Sequence, residues 1–322
     1  MSSTRSRSAK WGTEAIRKSF IGALAELAER DPRVVLLTAD LGFMALEPFS
    51  DAFPERFFNV GVAEQNMIGL ATGLAEAGMV PFVYSIAPFA TLRPYEFIRN
   101  GPILHNLPVR VVGVGGGMEY GPNGLSHYAL EDVAVMRAQP NMTVVVPADH
   151  LQARSAVLAT AGVPGPIYFR LGKDDAAIVP GLDGAFEMGR IQRIREGRDA
   201  AIVAMGPIAA DALGAAELLA AQGVDCAVAV VASVNPPPTD DLVALISDRR
   251  LVVTVEVHYA NGGLGSLVAE VVAEHGLGAR LLRQCVRSMP DDVVGSQRYM
   301  QRLFGLSADQ LAEAVVQELA AR

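Results

Sequence analysis

Glu64 is the acidic side chain best placed for chemistry, because it follows a glycine turn and begins a run of small and apolar residues. Residues 57–75 predict a strand, a turn at Gly61 and a helix, with Glu64 in the first helical turn. A carboxylate there interacts favourably with the positive end of the helix, and this stabilising role explains most glutamates at such positions. Gly69 and Gly73 follow one turn apart, and glycines let a ligand or another backbone approach closely. A carboxyl group in this setting is a candidate for ligand binding and for acid–base catalysis.

Three more polar residues follow predicted strands or end glycine-rich loops. Asp40 ends the apolar run 34–40, which predicts a buried strand, and open α/β sheets bind ligands at the carboxyl ends of their strands. Residues 113–127 form a glycine-rich segment that contains Asn123 and ends at His127. Because no Gly-x-Gly-x-x-Gly opens a helix here, the segment indicates an active-site loop rather than a dinucleotide site. A histidine in a loop is otherwise often a surface residue.

Arg170 ends another apolar run, residues 166–171. Its guanidinium is a forked, permanently charged donor that suits phosphate. An ion pair with Asp174 or Asp175 would account for it equally well.

Short apolar runs alternate with helical patterns along the chain, which predicts α/β domains with mainly parallel sheets covered by helices. The predicted strands cover residues 34–40, 80–85, 109–114, 143–146, 167–170, 200–205, 224–231, 251–255 and 280–286. The predicted helices cover residues 63–77, 94–105, 130–138, 149–161, 208–221 and 264–275. The pattern breaks between the two halves, so we expect two doubly wound domains, 10–175 and a smaller 199–322, joined by a linker at 176–198.

Composition narrows the classes of function. With 27 basic and 35 acidic residues, the formal charge is -8, which argues against a nucleic-acid partner. Cys226 and Cys285 both lie in apolar runs and are expected to be buried reduced thiols. The sequence shows neither a signal-peptide pattern nor an apolar stretch of the roughly 20 residues that would cross a bilayer. A cytoplasmic protein without membrane contact is therefore expected.

Four segments resemble motifs of the transketolase family: residues 39–41, 60–66, 87–89 and 121–127. The first domain then corresponds to the family's pyrimidine-binding domain and the second to its C-terminal domain. The resemblance implies a thiamine diphosphate enzyme in which Glu64 faces the aminopyrimidine and favours its reactive tautomer. It also implies that Phe89 stacks on that ring, although an aromatic residue at such a position is more often part of the core.

The same resemblance assigns the remaining site residues. Asp40 would lie near the cofactor, His127 would contact sugar oxygens, and Asn123 and Arg170 would help to orient the substrate. Asn123 stands where the family carries an aspartate, and Gly115 lies where classical members carry a histidine or a charged residue. Because both changes remove charge from the acceptor pocket, we expect a substrate other than the usual xylulose and ribose phosphates.

The sequence lacks the Gly-Asp-Gly motif with a following asparagine through which the family holds the diphosphate and its metal. The resemblance therefore implies an N-terminal partner subunit that carries the diphosphate and most of the Mg²⁺ ligands, with no metal ligand on this chain. The resemblance also implies an α2β2 heterotetramer. This assembly would transfer a two-carbon ketol unit from a ketose to an aldose. The alternatives are the beta subunit of a 2-oxo acid dehydrogenase E1 component and a non-catalytic assembly subunit; a 1-deoxyxylulose-5-phosphate synthase fits less well.

Overall fold

The computed structural model describes residues 15–173, 178–290 and 293–321, and within them the chain forms twelve strands and twelve α-helices. The strands are β1 Val34–Thr38, β2 Phe57–Asn59, β3 Val80–Ile86, β4 Arg110–Val114, β5 Thr143–Val145, β6 Ile167–Leu171, β7 Gln192–Arg195, β8 Ala200–Met205, β9 Cys226–Val230, β10 Ser233–Asn235, β11 Leu251–Tyr259 and β12 Arg280–Val286. The helices are α1 Ile16–Arg30, α2 Glu47–Ala52, α3 Glu64–Glu76, α4 Ala87–Thr91, α5 Tyr95–Ile98, α6 Asp132–Arg137, α7 His150–Ala159, α8 Ala209–Ala220, α9 Thr239–Ile246, α10 Leu264–Glu274, α11 Gln297–Leu303 and α12 Ala308–Ala320.

The first sheet has seven strands in the order β10-β5-β6-β4-β3-β1-β2, and all neighbours are parallel except the pair β10 and β5. Its central strands are apolar on both faces because side chains alternate along a strand and helices cover each side. Leu36 packs in a cluster with Phe20 of α1, whereas the next residue, Leu37, packs with Met67 of α3. The sheet thus fixes the position of α3, the helix that Glu64 begins.

The second sheet has five strands in the order β12-β11-β8-β9-β7, with only β7 antiparallel among the described strands. Helices α8 and α12 pack together on one of its faces. Its other face packs against α10, and the buried apolar cluster there, which includes Val203 and Val252, continues into the first domain as far as Val83 and Val144. The prediction of two α/β domains with mainly parallel sheets is confirmed.

The structure differs from the sequence-based expectations at three places. Strand β7 lies inside the segment 176–198 that was expected to be the linker, and it forms the edge of the second sheet. Strand β10, from the second half of the chain, pairs antiparallel with β5 in the first sheet. The expected helix 94–105 is α5 followed by a π-helix, Arg99–Ile103, because Pro102 inside it cannot donate a backbone hydrogen bond.

Short 3-10 turns at Pro54–Arg56, Gly121–Asn123 and Leu125–His127 complete the regular structure. In the described ranges no helix has the length and apolar character needed to cross a membrane.

Arg170 forms the polar junction between the two domains. Its Nε donates to Asp132 Oδ2 at 2.9 Å, and its Nη2 donates to the carbonyl oxygens of Ala129 and Val257, each at 2.9 Å. Val257 belongs to β11 of the second domain, whereas Arg170 lies near the end of β6 in the first. The Tyr168 hydroxyl also donates to Asp132 Oδ2, at 2.5 Å. One guanidinium thus ties a strand, a helix start and the neighbouring domain together.

Burial and the neighbouring charges act in opposite directions on the pKa of Arg170. Burial alone would lower the pKa of Arg170, but the charge and hydrogen bond of Asp132, together with Tyr168 and Glu119, outweigh burial, and the pKa of Arg170 is raised. Burial, reinforced by Asp132, raises the pKa of Tyr168 well above its ordinary value, so its hydroxyl remains a hydrogen-bond donor. The second oxygen of Asp132, Oδ1, is buried without a hydrogen-bond partner. Loss of the arginine would therefore leave a buried carboxylate poorly compensated.

We expect Arg170→Leu to lower the free energy of unfolding by about 3 to 5 kcal/mol, because it removes one partner of a buried ion pair. Urea denaturation followed by circular dichroism measures the change. Arg302→Ala is the matched control, since Arg302 pairs with Asp309 at the surface and should cost no more than about 1 kcal/mol. Equal losses in the two variants would contradict the role of Arg170 as the junction.

Candidate active site

Glu64 is buried although it is an acidic residue, with 4% of its surface exposed. It is the first residue of α3, where the backbone turns through Gly61 at a φ of 71°. Its Oε1 accepts a hydrogen bond from Nη1 of Arg93 at 3.0 Å. The helix start and this guanidinium both supply positive charge to a carboxylate that has little contact with water.

Arg93 connects Glu64 to the aromatic ring of Phe89. Its guanidinium carbon lies 3.8 Å from the centre of that ring, which is a cation–π contact. Phe89 belongs to α4, and Arg93 follows it by four residues, just beyond the end of the helix. The Gln65 side chain donates to the Arg93 carbonyl oxygen at 3.3 Å. The segment after β3 is thereby held against the start of α3.

His127 approaches Phe89 from a distant part of the chain. The two ring centres are 5.1 Å apart with the planes at 66°, an edge-to-face arrangement. The His127 ring also lies 6.0 Å from that of Tyr120, and its Nδ1 lies 3.0 Å from the Ser126 hydroxyl oxygen. The glycine-rich loop and the α4 segment, far apart in sequence, thus meet at Phe89.

Tyr128 fixes the loop that carries His127 and Asn123. Its buried hydroxyl donates to the Gly121 carbonyl oxygen at 2.7 Å, which closes the two 3-10 turns. Burial raises the pKa of Tyr128, so this donor is retained over the ordinary pH range. Asn123, within the first turn, is exposed. The loop therefore presents Asn123 to solvent while His127 packs inward against Phe89.

Asp40 lies at the carboxyl end of β1, in the left-handed region with a φ of 54°. Asn59 at the end of β2 holds it in place: the Asn59 amide donates to Asp40 Oδ1 at 2.9 Å and accepts from the Asp40 backbone at 3.1 Å. Asn59 Oδ1 also accepts from the Gly61 backbone at 3.0 Å. One amide side chain thus positions Asp40 and shapes the turn that leads to Glu64.

The structure brings together three of the six residues that the sequence singled out, namely Glu64, Phe89 and His127. Arg170 lies in the domain junction beneath the glycine-rich loop, where a Cβ on Gly116 would come within 2.7 Å of its Nε. Its possible partners Asp174 and Asp175 lie outside the described residues, and the acid that it contacts is Asp132.

Asp40 and Asn123 are held by other contacts than that group of three. Both are exposed at loops. The Asp40 carboxylate accepts its hydrogen bond from Asn59, and the Asn123 backbone donates to the Tyr120 carbonyl oxygen at 2.7 Å. Asp40 is therefore held by the end of β2, and Asn123 by its own loop.

Sequence reasoning missed Arg93 and Asn59. Arg93 is a cation four residues after an aromatic side chain in an apolar segment, and this spacing is a usable signal for a helical contact. Asn59 gave no comparable signal, because its role depends on two adjacent strand ends.

The described part of the chain contains no cluster of three or more His, Cys, Asp or Glu residues suited to a metal ion.

Three clefts surround the start and the exposed face of α3. The cleft at Glu64 has a volume of about 490 Å³ and is lined by Val62, Ala63, Glu64, Gln65, Asn66 and Arg93. Two more, each about 410 Å³, lie along the sides of the helix and include Gly69 and Leu70. A Cβ built on Gly69 or Gly73 would meet nothing within 4 Å, and Leu70 is 46% exposed. An apolar surface to which another chain could pack closely therefore extends along α3 from the cleft at Glu64.

Two family models together match most of the chain. Residues 13–177 match "Transketolase, pyrimidine binding domain" and residues 189–311 match "Transketolase, C-terminal domain". These segments coincide with the two sheets described above, apart from the crossing strand β10.

Relatives cover nearly the whole chain. A "6-deoxy-6-sulfo-D-fructose transketolase subunit SqwH" from a Clostridium species is 37% identical over 93% of this chain and 92% of the relative. A subunit of an apulose-4-phosphate transketolase from Actinobacillus succinogenes is 34% identical over 83% of this chain and 86% of the relative.

A solved structure described as "Split gene transketolase, inactive beta4 tetramer" superposes with a TM-score of 0.85 at 39% identity, covering 96% of this chain and 99% of that one. The two domains, the buried Glu64 and these similarities all indicate the same family. The chain belongs to the transketolase family, as a protein that unites the pyrimidine-binding and C-terminal domains.

Proposed function

We propose that this chain is the C-terminal subunit of a two-component transketolase, which transfers a two-carbon ketol unit from a ketose to an aldose with thiamine diphosphate. The observation that carries the proposal is the buried carboxylate of Glu64, which opens α3 and lies at a cleft beside Arg93 and the ring of Phe89. The relatives named above are transketolase subunits, so a 2-oxo acid dehydrogenase subunit is not favoured.

The residues at the cleft fit the aminopyrimidine of the cofactor. A flat group with N–H donors already lies on Phe89 and hydrogen-bonds Glu64, since the Arg93 guanidinium does both. An aminopyrimidine is likewise flat and carries N–H groups. The chemistry of the two partners, an aromatic face and a buried carboxylate, is therefore the chemistry that such a ring requires.

When bound, thiamine diphosphate supplies an acidic thiazolium carbon whose deprotonated form cleaves a ketose beside its carbonyl group. Glu64 would hold a proton at the pyrimidine ring nitrogen, and its burial would keep water from competing for that contact. Phe89 would support one face of the ring, and Asp40 would border the cofactor from the neighbouring strand end. Glu64 is thus the residue through which this chain activates the cofactor.

The glycine-rich loop would orient the substrate. His127, packed against Phe89, would contact sugar oxygens close to the reacting centre, and Asn123 would lie farther out on the exposed turn. Arg170 enters the proposal through the loop that it supports, and its direct contact with a substrate phosphate stays a prediction from the sequence. Relatives named for a sulfo-sugar and for apulose 4-phosphate support a substrate outside the classical pair.

A partner subunit would complete the site. The exposed apolar surface along α3 begins at Glu64, so a chain docked there would close the cleft. The related split transketolase, described as an "inactive beta4 tetramer", also supports a need for a second component. We propose an N-terminal subunit that holds the diphosphate and Mg²⁺, an α2β2 heterotetramer and a cytoplasmic location.

Glu64→Gln should lower kcat of the reconstituted enzyme at least about 100-fold, because the amide cannot hold a titrating proton at the ring nitrogen. Steady-state assays of ketol transfer measure the loss. Glu29→Gln is the control, since Glu29 is an exposed acid on α1, which packs on the face of the first sheet opposite to α3, and should leave kcat unchanged. Full activity of Glu64→Gln would favour a non-catalytic assembly subunit.

The purified chain should bind thiamine diphosphate with Mg²⁺ tightly only after its partner subunit has been added, because the diphosphate site lies on that partner. Isothermal titration calorimetry with and without the co-purified partner measures this difference. Magnesium omitted from the complex is the control and should abolish the binding gain. Tight binding by the chain alone would refute the need for a partner.

The reconstituted enzyme should use xylulose and ribose phosphates poorly, since Asn123 and Gly115 leave the acceptor pocket without the family's charged groups. Asn123→Asp should raise kcat/KM for these sugars by about tenfold, as a hydrogen bond to a charged acceptor is stronger than a neutral one. Asn106→Asp is the control, since Asn106 is an exposed asparagine that precedes β4, away from the carboxyl ends of the strands. Full wild-type activity with the classical sugars would contradict this substrate prediction.

A further inference from the structure

Arg93 contacts both groups that the proposed function assigns to the aminopyrimidine. Its Nη1 hydrogen-bonds Glu64 Oε1 at 3.0 Å, and its guanidinium carbon lies 3.8 Å from the centre of the Phe89 ring. His127 contacts the same ring in an edge-to-face arrangement, at a centre-to-centre distance of 5.1 Å. A pyrimidine that stacks on Phe89 and bonds Glu64 would need the volume and the hydrogen-bond acceptor that Arg93 now uses.

From this overlap we infer that Arg93 is a displaceable internal plug of the cofactor site. Its guanidinium occupies the pyrimidine position and leaves for solvent when the cofactor ring enters. The inference rests on the proposed function, because it takes the incoming ring to be an aminopyrimidine. It goes further by assigning a role to a residue to which the proposed function gives none.

The position of Arg93 gives its side chain a short path to solvent. Its side chain is 46% exposed, whereas that of Glu64 is only 4% exposed, so the arginine can reach water without opening the core. It follows the end of α4, in a turn before α5, and is not part of either helix. A half-exposed ion pair and one cation–π contact are each weak compared with a buried pair.

The plug also gives Glu64 a counter-charge before the ring arrives. A buried carboxylate without a partner is strongly destabilising, and the described contacts of Glu64 include one cation, Arg93. Arg93 therefore stabilises the unliganded site at the cost of cofactor affinity. Affinity is reduced in proportion to the fraction of molecules in which the site is open, so removal of the plug should tighten binding.

A direct test follows the Arg93 side chain by NMR. Its Nε–H proton lies near an aromatic face and should be shielded in the unliganded chain, and Phe89→Leu should abolish the shielding. Titration with the hydroxymethyl aminopyrimidine of thiamine should return this proton to the shift of a solvated arginine. An unchanged Arg93 signal while the pyrimidine binds would overturn the plug.

Affinity supplies a second, independent measurement on the same chain and on the complex with its partner. Arg93→Ala should bind the aminopyrimidine, and thiamine diphosphate in the complex, about three- to tenfold more tightly than wild type. Arg93→Lys, which keeps the charge but not the flat group, should lie in between. Arg99→Ala, an exposed arginine on the following π-helix, is the control and should bind like wild type.

The outcomes separate this inference from the proposed function. Equal or weaker binding by Arg93→Ala, with wild type binding normally, overturns the plug and leaves the thiamine diphosphate assignment intact. Failure of every variant to bind the pyrimidine or the cofactor, even with the partner present, overturns both. Tighter binding by Arg93→Ala together with release of the Arg93 signal supports both.

Discussion

A carboxylate withdrawn from water has to find positive charge within the protein, and that requirement governs the architecture around Glu64. The positive end of α3 supplies part of it and the Arg93 guanidinium supplies the rest. To satisfy the requirement, the chain must turn at Gly61 after β2 so that the helix starts there, and the segment after β3 must return to the same point. The first sheet, the hydrogen bonds of Asn59 and the α4 segment together fix the position of this one side chain.

Much of the fold was predictable because its signals are local. Strands such as β8 and β12 were predicted with the observed bounds, since apolar runs between helical patterns leave few other interpretations. The elements that the sequence missed depend on distant partners. Strand β10 is three residues long and is a strand only because β5 offers a free edge, and β7 lies in a segment without clear periodicity.

The site shows the same division between local and distant information. Glu64 was recognisable from its glycine turn and helix, and Phe89 and His127 from motifs that resemble a family. Arg170 shows the limit of that approach: an arginine at a strand end is equally suited to a phosphate and to a buried acid. The structure supplies the buried acid, Asp132, from a helix 38 residues away in sequence. No local pattern could have indicated which of these two partners the arginine contacts.

The crossing strand β10 has a consequence for how such a chain can be inherited. Residues 233–235 complete the edge of the first sheet, so in a fragment that ends at the linker β5 would pair with β6 but leave its other edge open. Its partner fragment would in turn carry β10 without the strand with which it pairs. Gene fission between the two domains would thus open a strand edge in one piece and separate a strand from its partner in the other, which favours inheritance of the two domains as one module.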